Sequence, residues 1–155
     1  MYLQPNRHTL ILLPLGILLL VAICCALSGC GGGSSDQVLT KKEFTARAER
    51  ICSHVRATAS ATAFAYKRKN PSVEEVDLVT KVAVPSIEEE IQRIKALGTP
   101  SGGKSEVQAF VSAFEDGLAN ITEDPQDVLV AETNPFAKGK AVAAAYGLEA
   151  CSTFP

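Results

Sequence analysis

The apolar positions of this chain follow two regimes. From Leu10 to Leu27 they are almost continuous, a run of 18 residues interrupted by Pro14 and Gly16. From Thr40 onward they recur at spacings of three and four, the period of a helix with one buried stripe. Phe44, Ala48, Ile51, Val55, Thr58, Thr62 and Tyr66 form the first stripe and predict a helix from Thr40 to near Lys69. Its start is a capping-box pattern, Thr40-Lys41-Lys42-Glu43, in which Thr and Glu side chains satisfy free amides reciprocally. Cys52 lies beside Ile51 on the buried side. Alternating alanines from Ala57 to Ala65 keep the helix thin enough for a neighbour to approach closely.

Asn70-Pro71 reads as a cap followed by proline at the first helical position. The second helix then carries Val73, Val76, Val79, Ala83, Ile87, Ile91, Ile94 and Leu97 on its inner face. Pro85 sits inside it, removes one backbone donor, and predicts a kink or a split. Gly98 and Pro100 end it. A third helix is predicted from about Lys104 to Ile121, with Val107, Phe110, Val111, Phe114, Leu118 and Ile121 as its stripe, and Pro125 stops it. Residues 126 to 132 predict a short helical turn. Asn134-Pro135 repeats the cap-plus-proline start, and the last helix runs from about Phe136 to Tyr146. Gly147 suits a left-handed cap there, with Leu148 folding back. No period-two alternation, Asn-Gly hairpin or repeat occurs. The expectation is an all-α fold, an antiparallel four-helix bundle over residues 39–155.

The first apolar run carries a different message. It ends in Leu27-Ser28-Gly29-Cys30, after a polar start with Arg7 and His8, and Gly31-Gly32-Gly33-Ser34-Ser35 follows at once. This resembles the lipobox of bacterial lipoproteins. The resemblance implies a signal peptide over residues 1–29, cleaved before Cys30, and lipidation of the Cys30 thiol. Small Ser28 and Gly29 would admit the scissile bond to a membrane-embedded peptidase. Two or more acyl chains hold a protein stably where one holds it marginally. Residues 30–38 then form a flexible Gly/Ser tether, and the domain is exported and anchored on the extracytoplasmic face of the cell membrane. An uncleaved spanning helix is the alternative. Eighteen residues lie at the lower edge for one.

Composition narrows the function classes. The chain has 155 residues, 15 Lys+Arg and 17 Asp+Glu. Arg7 alone of these precedes Cys30, which leaves 14 basic against 17 acidic residues, a net charge near −3. That is no nucleic-acid footprint, and no polybasic patch supplements the acyl chains on anionic lipid. The remainder after the signal segment is long enough for one domain with its own core.

Five cysteines are present. Cys24 and Cys25 leave with the signal peptide and Cys30 is lipidated. Cys52 and Cys151 remain, an even pair in an oxidising compartment, and are expected to form one disulfide joining the first helix to the C-terminal tail. It would close a loop of about 100 residues, worth roughly 4–5 kcal/mol in the chain-entropy model. Two separate buried thiols, or a metal pair, are the alternatives. A two-Cys metal site needs further ligands, and His54 is the one His after Cys30.

The remaining motifs yield little chemistry. Gly98-Thr99-Pro100-Ser101-Gly102-Gly103-Lys104-Ser105 fits the phosphate-loop pattern, but a helix precedes it where that loop needs a strand. It reads as an interhelical turn. Ile51-Cys52-Ser53-His54 lacks the Cys-x-x-Cys-His of a haem site, and residue 51 is not the Glu of a di-metal bundle. Glu88-Glu89-Glu90 and Glu74-Glu75-Val76-Asp77 read as solvated faces, the latter aided by an Asp77–Lys81 pair. No nucleophile elbow or triad is apparent, so no catalytic, metal-binding or cofactor-binding residue and no cofactor is expected.

Cys52, Pro85, Leu97 to Pro100, and Tyr146-Gly147-Leu148-Glu149-Ala150-Cys151 together resemble a group of small exported helical proteins of actinobacteria without assigned activity. The resemblance covers residues 40–155 and implies the helical fold and the disulfide. The functional expectation is a non-enzymatic, lipid-anchored helical module that interacts with an envelope protein or binds a small ligand. A structural protein linking membrane and cell wall is the alternative.

Overall fold

The structure, a computed structural model, describes residues 38–130 and 134–153. The apolar run, the lipobox Leu27–Cys30 and the tether to Gln37 lie outside the described residues. Every regular element among the described residues is helical: α1 (Lys41–Lys69), α2 (Glu75–Leu78), a π-helical turn (Val79–Ala83), α3 (Val84–Lys95), α4 (Lys104–Glu123), α5 (Asp127–Val130), α6 (Ala137–Tyr146) and α7 (Glu149–Ser152). None of these helices is long and apolar enough to cross a membrane.

The capping box forms as the sequence predicts. Glu43 N–H donates to Thr40 Oγ1 at 3.2 Å, and Thr40 N–H donates to Glu43 Oε2 at 2.9 Å. Phe44, Ala48, Cys52, Val55 and Ala59 are buried along α1. The stripe therefore leaves the expected line after Val55: Thr58 and Thr62 are exposed, and Ala59 takes the inner position. Small size governs here, because the π-helical turn packs close against this half of α1.

Asn70 corrects a second expectation. It ends α1 instead of starting the next helix: its backbone N–H and its side-chain amide both donate to Tyr66 C=O, each at 3.0 Å. Pro71 and Ser72 make a turn, and helix resumes at Glu75. Pro85 then neither breaks nor ends the run. The turn before it widens, and Val84 N–H reaches back five residues to Val79 C=O. A π turn relieves the clash and the missing donor that proline brings to a regular helix.

α1 packs on α3, α3 on α4, and α4 on α6, while α7 joins α6 back to α1. The α4–α6 crossing is close because both helices present glycine. A Cβ at Gly117 would lie 2.6 Å from the Phe136 ring, and one at Gly139 would lie 2.4 Å from the Phe114 ring. Phe114 lies between Phe110, edge-on with ring centres 4.8 Å apart, and Phe136, tilted at 5.5 Å, so this crossing forms the aromatic centre of the core.

The C-terminal segment folds back as anticipated. Gly147 is left-handed at φ 95°, Leu148 N–H bonds Ala143 C=O at 2.9 Å, and Gly147 N–H bonds Ala144 C=O at 3.0 Å. This is the Schellman arrangement. It turns the buried Leu148 inward and aims α7 at α1. There Ala150 N–H is shared by both Glu49 carboxylate oxygens, at 2.9 and 3.1 Å. The Cys52 and Cys151 sulfurs stand 2.02 Å apart, at disulfide distance, across 99 residues of sequence.

Candidate functional site

Two places carry chemistry beyond packing. The first is a groove of about 590 Å³ between α3 and α4. Ile91, Leu118 and Ala119 give it apolar walls, and Glu88, Glu115 and Glu123 bring carboxylates to it. The period of α3 sets Glu88 one turn from Gln92, while that of α4 sets Glu115, Leu118 and Thr122 along the facing wall. Lys95 bridges to Glu115 at 2.8 Å and ties the two helices at this edge. Apolar walls with acidic groups suit a ligand that is both apolar and cationic.

The second place is internal. Glu90 reads in the sequence as part of a solvated acidic run, yet it is 1% exposed. Neither of its carboxyl oxygens has a hydrogen-bond partner. One of them lies within 4.8 Å of both sulfurs of the Cys52–Cys151 pair, which are themselves fully buried. Burial pushes the Glu90 carboxyl up to about 7, against a smaller opposing pull from the Arg56 guanidinium. Desolvation dominates because an ionised carboxylate loses its water here without gaining a donor. Three helices meet at this point: α1 supplies Cys52 and Arg56, α3 supplies Glu90, and α7 supplies Cys151.

Sulfur, sulfur and carboxylate in one small volume have the composition of a metal-ligand set. With the sulfurs at bonding distance from each other, however, neither is a thiolate, and thiolate is the form that binds metal. His54 is exposed on α1 and takes no part. Arg56 turns its guanidinium toward the tail and donates to Thr153 Oγ1.

The phosphate-loop look-alike is an interhelical turn. Ser101 N–H bonds Leu39 C=O at 2.7 Å, and Tyr146 O–H donates to Gly102 C=O at 3.1 Å. A Cβ on Gly103 would sit 2.3 Å from the Tyr146 ring, so that glycine serves packing. Tyr146 also stands edge-on to Phe44 and under Lys41 Nζ, 4.4 Å from its ring centre.

Glu90 is the residue that a reading of the acidic run misses. Helical spacing carried the signal: it lies three positions after Ile87 and four before Ile94, on the same stripe. Arg56 gave no comparable signal, since its role depends on α7 arriving from the far end of the chain.

Fold and site together define, among the described residues, an all-helical domain in which a cysteine pair ties α7 to α1 over a buried acid. None of the protein-family models, curated proteins or solved structures compared with the chain matches it.

Proposed function

We propose that this chain is a lipid-anchored extracytoplasmic binding module, exported by its first 29 residues and held through Cys30. Its scaffold, in this reading, is an antiparallel four-helix bundle of α1, the α2–α3 run, α4 and α6, closed by a disulfide formed on export. The α3–α4 groove is its binding site, and its ligand is a cation with an apolar body. The observation that carries this reading is the groove itself: Ile91, Leu118 and Ala119 offer apolar contact beside Glu88, Glu115 and Glu123. Carboxylates around apolar walls attract a cation electrostatically, while apolar contact supplies affinity.

Titration of the full chain with dodecylamine tests the site. Binding is expected to weaken at least tenfold in the triple variant Glu88→Gln, Glu115→Gln, Glu123→Gln, and to weaken with salt in the parent. Equal affinity in parent and triple variant would remove the groove from the reading. The anchor has its own test. A Cys30→Ala chain is expected to lose incorporated acyl label and to keep its full precursor length. If the variant still carried label, lipidation at Cys30 would be refuted.

A structural envelope role has one observation in its favour. The far end of α1 exposes Phe64, 66% accessible, next to the basic run Lys67-Arg68-Lys69. Co-sedimentation with an anionic wall polymer, abolished by Phe64→Ser with Arg68→Ser, would support that role over the groove.

A further inference from the structure

We propose that Cys52, Cys151 and Glu90 form a proton-coupled thiol–disulfide centre, in which the buried Glu90 carboxyl gives up its proton when an external dithiol reduces the pair.

The geometry motivates this. A carboxyl group buried with neither oxygen hydrogen-bonded is costly, and a core normally excludes it or pairs it. Glu90 is so placed with a carboxyl oxygen within 4.8 Å of both sulfurs. A disulfide offers that carboxyl no donor. Two thiols offer two S–H donors. The environment of Glu90 is therefore poor in donors while the pair is oxidised and supplied with them once it is reduced. The oxidised state favours the neutral acid, in keeping with the upward push that burial exerts on Glu90. The reduced state favours the carboxylate.

The charged surroundings agree. From α1, the Arg56 guanidinium donates to Thr153 Oγ1 yet favours the ionised form of Glu90 through its charge, while Glu49 on the same helix is engaged by Ala150 N–H. On α7, Glu149 is exposed, as are Glu88 and Glu89 on α3. From α4, Glu115 is taken by Lys95. Arg56 is thus the charge that would steady a newly formed Glu90 carboxylate.

A thiolate of the dithiol attacks Cys151 Sγ, the S–S bond breaks, and Cys52 leaves as a thiolate that takes the Glu90 proton. The second thiol of the dithiol then attacks the mixed disulfide and expels Cys151, which takes the proton that this thiol sheds. The dithiol is oxidised to its cyclic disulfide and the protein pair is reduced to two thiols. Glu90 ends as carboxylate, and the proton lost by the first attacking thiol remains in solvent.

Access requires α7 to lift, because both sulfurs are fully buried. That element is four residues long, and its polar ties to α1 are the Glu49–Ala150 and Arg56–Thr153 bonds. With the sulfur pair still tethering α7 to α1, lifting it breaks these two bonds and uncovers Ala150 and Cys151, a local opening smaller than that of the whole domain.

The test is the equilibrium of the full chain, exported and purified in detergent, with mixtures of reduced and oxidised dithiothreitol. Samples from pH 5 to 7.5 are acid-quenched, alkylated and weighed by mass spectrometry. Below the thiol range both couples carry their protons alike, so an uncoupled pair gives an exchange constant independent of pH. With Glu90 coupled, the reduced form gains as pH rises, by up to about tenfold per pH unit, since one proton is released per pair reduced. Glu90→Gln is expected to flatten the curve, and Glu90→Leu serves equally if the Gln variant does not fold. A flat parental curve overturns the proposal. So does a slope that persists in the variant, which would place the coupled proton on another group.

Discussion

Glu90 sets the most specific expectation at the scale of one residue. Its carboxyl stands at about 7 in the folded chain against 4.5 when free of the fold. Below about 4.5 both states hold the proton and the group is neutral in the balance. Between about 4.5 and 7 the unfolded chain ionises while the folded chain does not, so stability falls as pH rises. Above about 7 both are ionised and the slope disappears. The total loss is on the order of 3 kcal/mol. Urea unfolding of the oxidised chain at steps from pH 4.5 to 8 reads this directly. The difference between parent and Glu90→Gln isolates the group from carboxylates such as Glu43, which Thr40 N–H holds below the usual range. A parent and variant with the same slope would show that Glu90 is ionised in the fold. The residue scale is also where the sequence was hardest to read. Three consecutive glutamates look alike in composition, and only the stripe running from Ile87 to Ile94 separates Glu90 from its neighbours.

At the scale of elements, the sequence was most legible where one local signal sufficed. The capping box placed the start of α1, and Gly147 placed the end of α6. Where two readings of one dipeptide competed, it was less so. Asn70-Pro71 carries a start signal, but its asparagine closes the helix before it because Tyr66 C=O is the nearer unsatisfied partner. Pro85 signals a break in any isolated helix, and the extra residue held in the π turn absorbs it. The α4–α6 crossing was not legible at all, since Gly117 and Gly139 gain meaning only when Phe136 and Phe114 are in place. Gly139→Ala is expected to cost about 1–3 kcal/mol, because its Cβ must displace the Phe114 ring from a packed aromatic cluster. Lys138→Ala, exposed on the same helix, is expected to stay within about 0.5 kcal/mol of the parent. Thermal melts of the two variants decide it, and equal midpoints would mean the crossing is looser than the ring contacts indicate.

At the scale of the whole molecule, the cysteine pair joins α1 to α7 across 99 residues. The double variant Cys52→Ala, Cys151→Ala is expected to lose roughly 4–5 kcal/mol, through the larger freedom of its unfolded chain. Its denaturant dependence should steepen as well, since an unfolded chain without the link exposes more surface. An unchanged unfolding midpoint would mean that the link restrains nothing the folded core does not already restrain. The pairing was open to sequence reasoning because only Cys52 and Cys151 follow Cys30 in the sequence. The acid beneath it was not, since nothing in a list of residues shows that α3 passes under the meeting point of α1 and α7.

The same link closes residues 52–151 into a ring. A chain drawn taut between its N-terminal and C-terminal sides pays out, at its leading side, only the segment ahead of Cys52. From Thr40 that is a dozen residues, about 40 Å at full extension. Everything between Cys52 and Cys151 stays outside the line of force. A single cut by a protease inside that ring would sever the backbone and release no fragment.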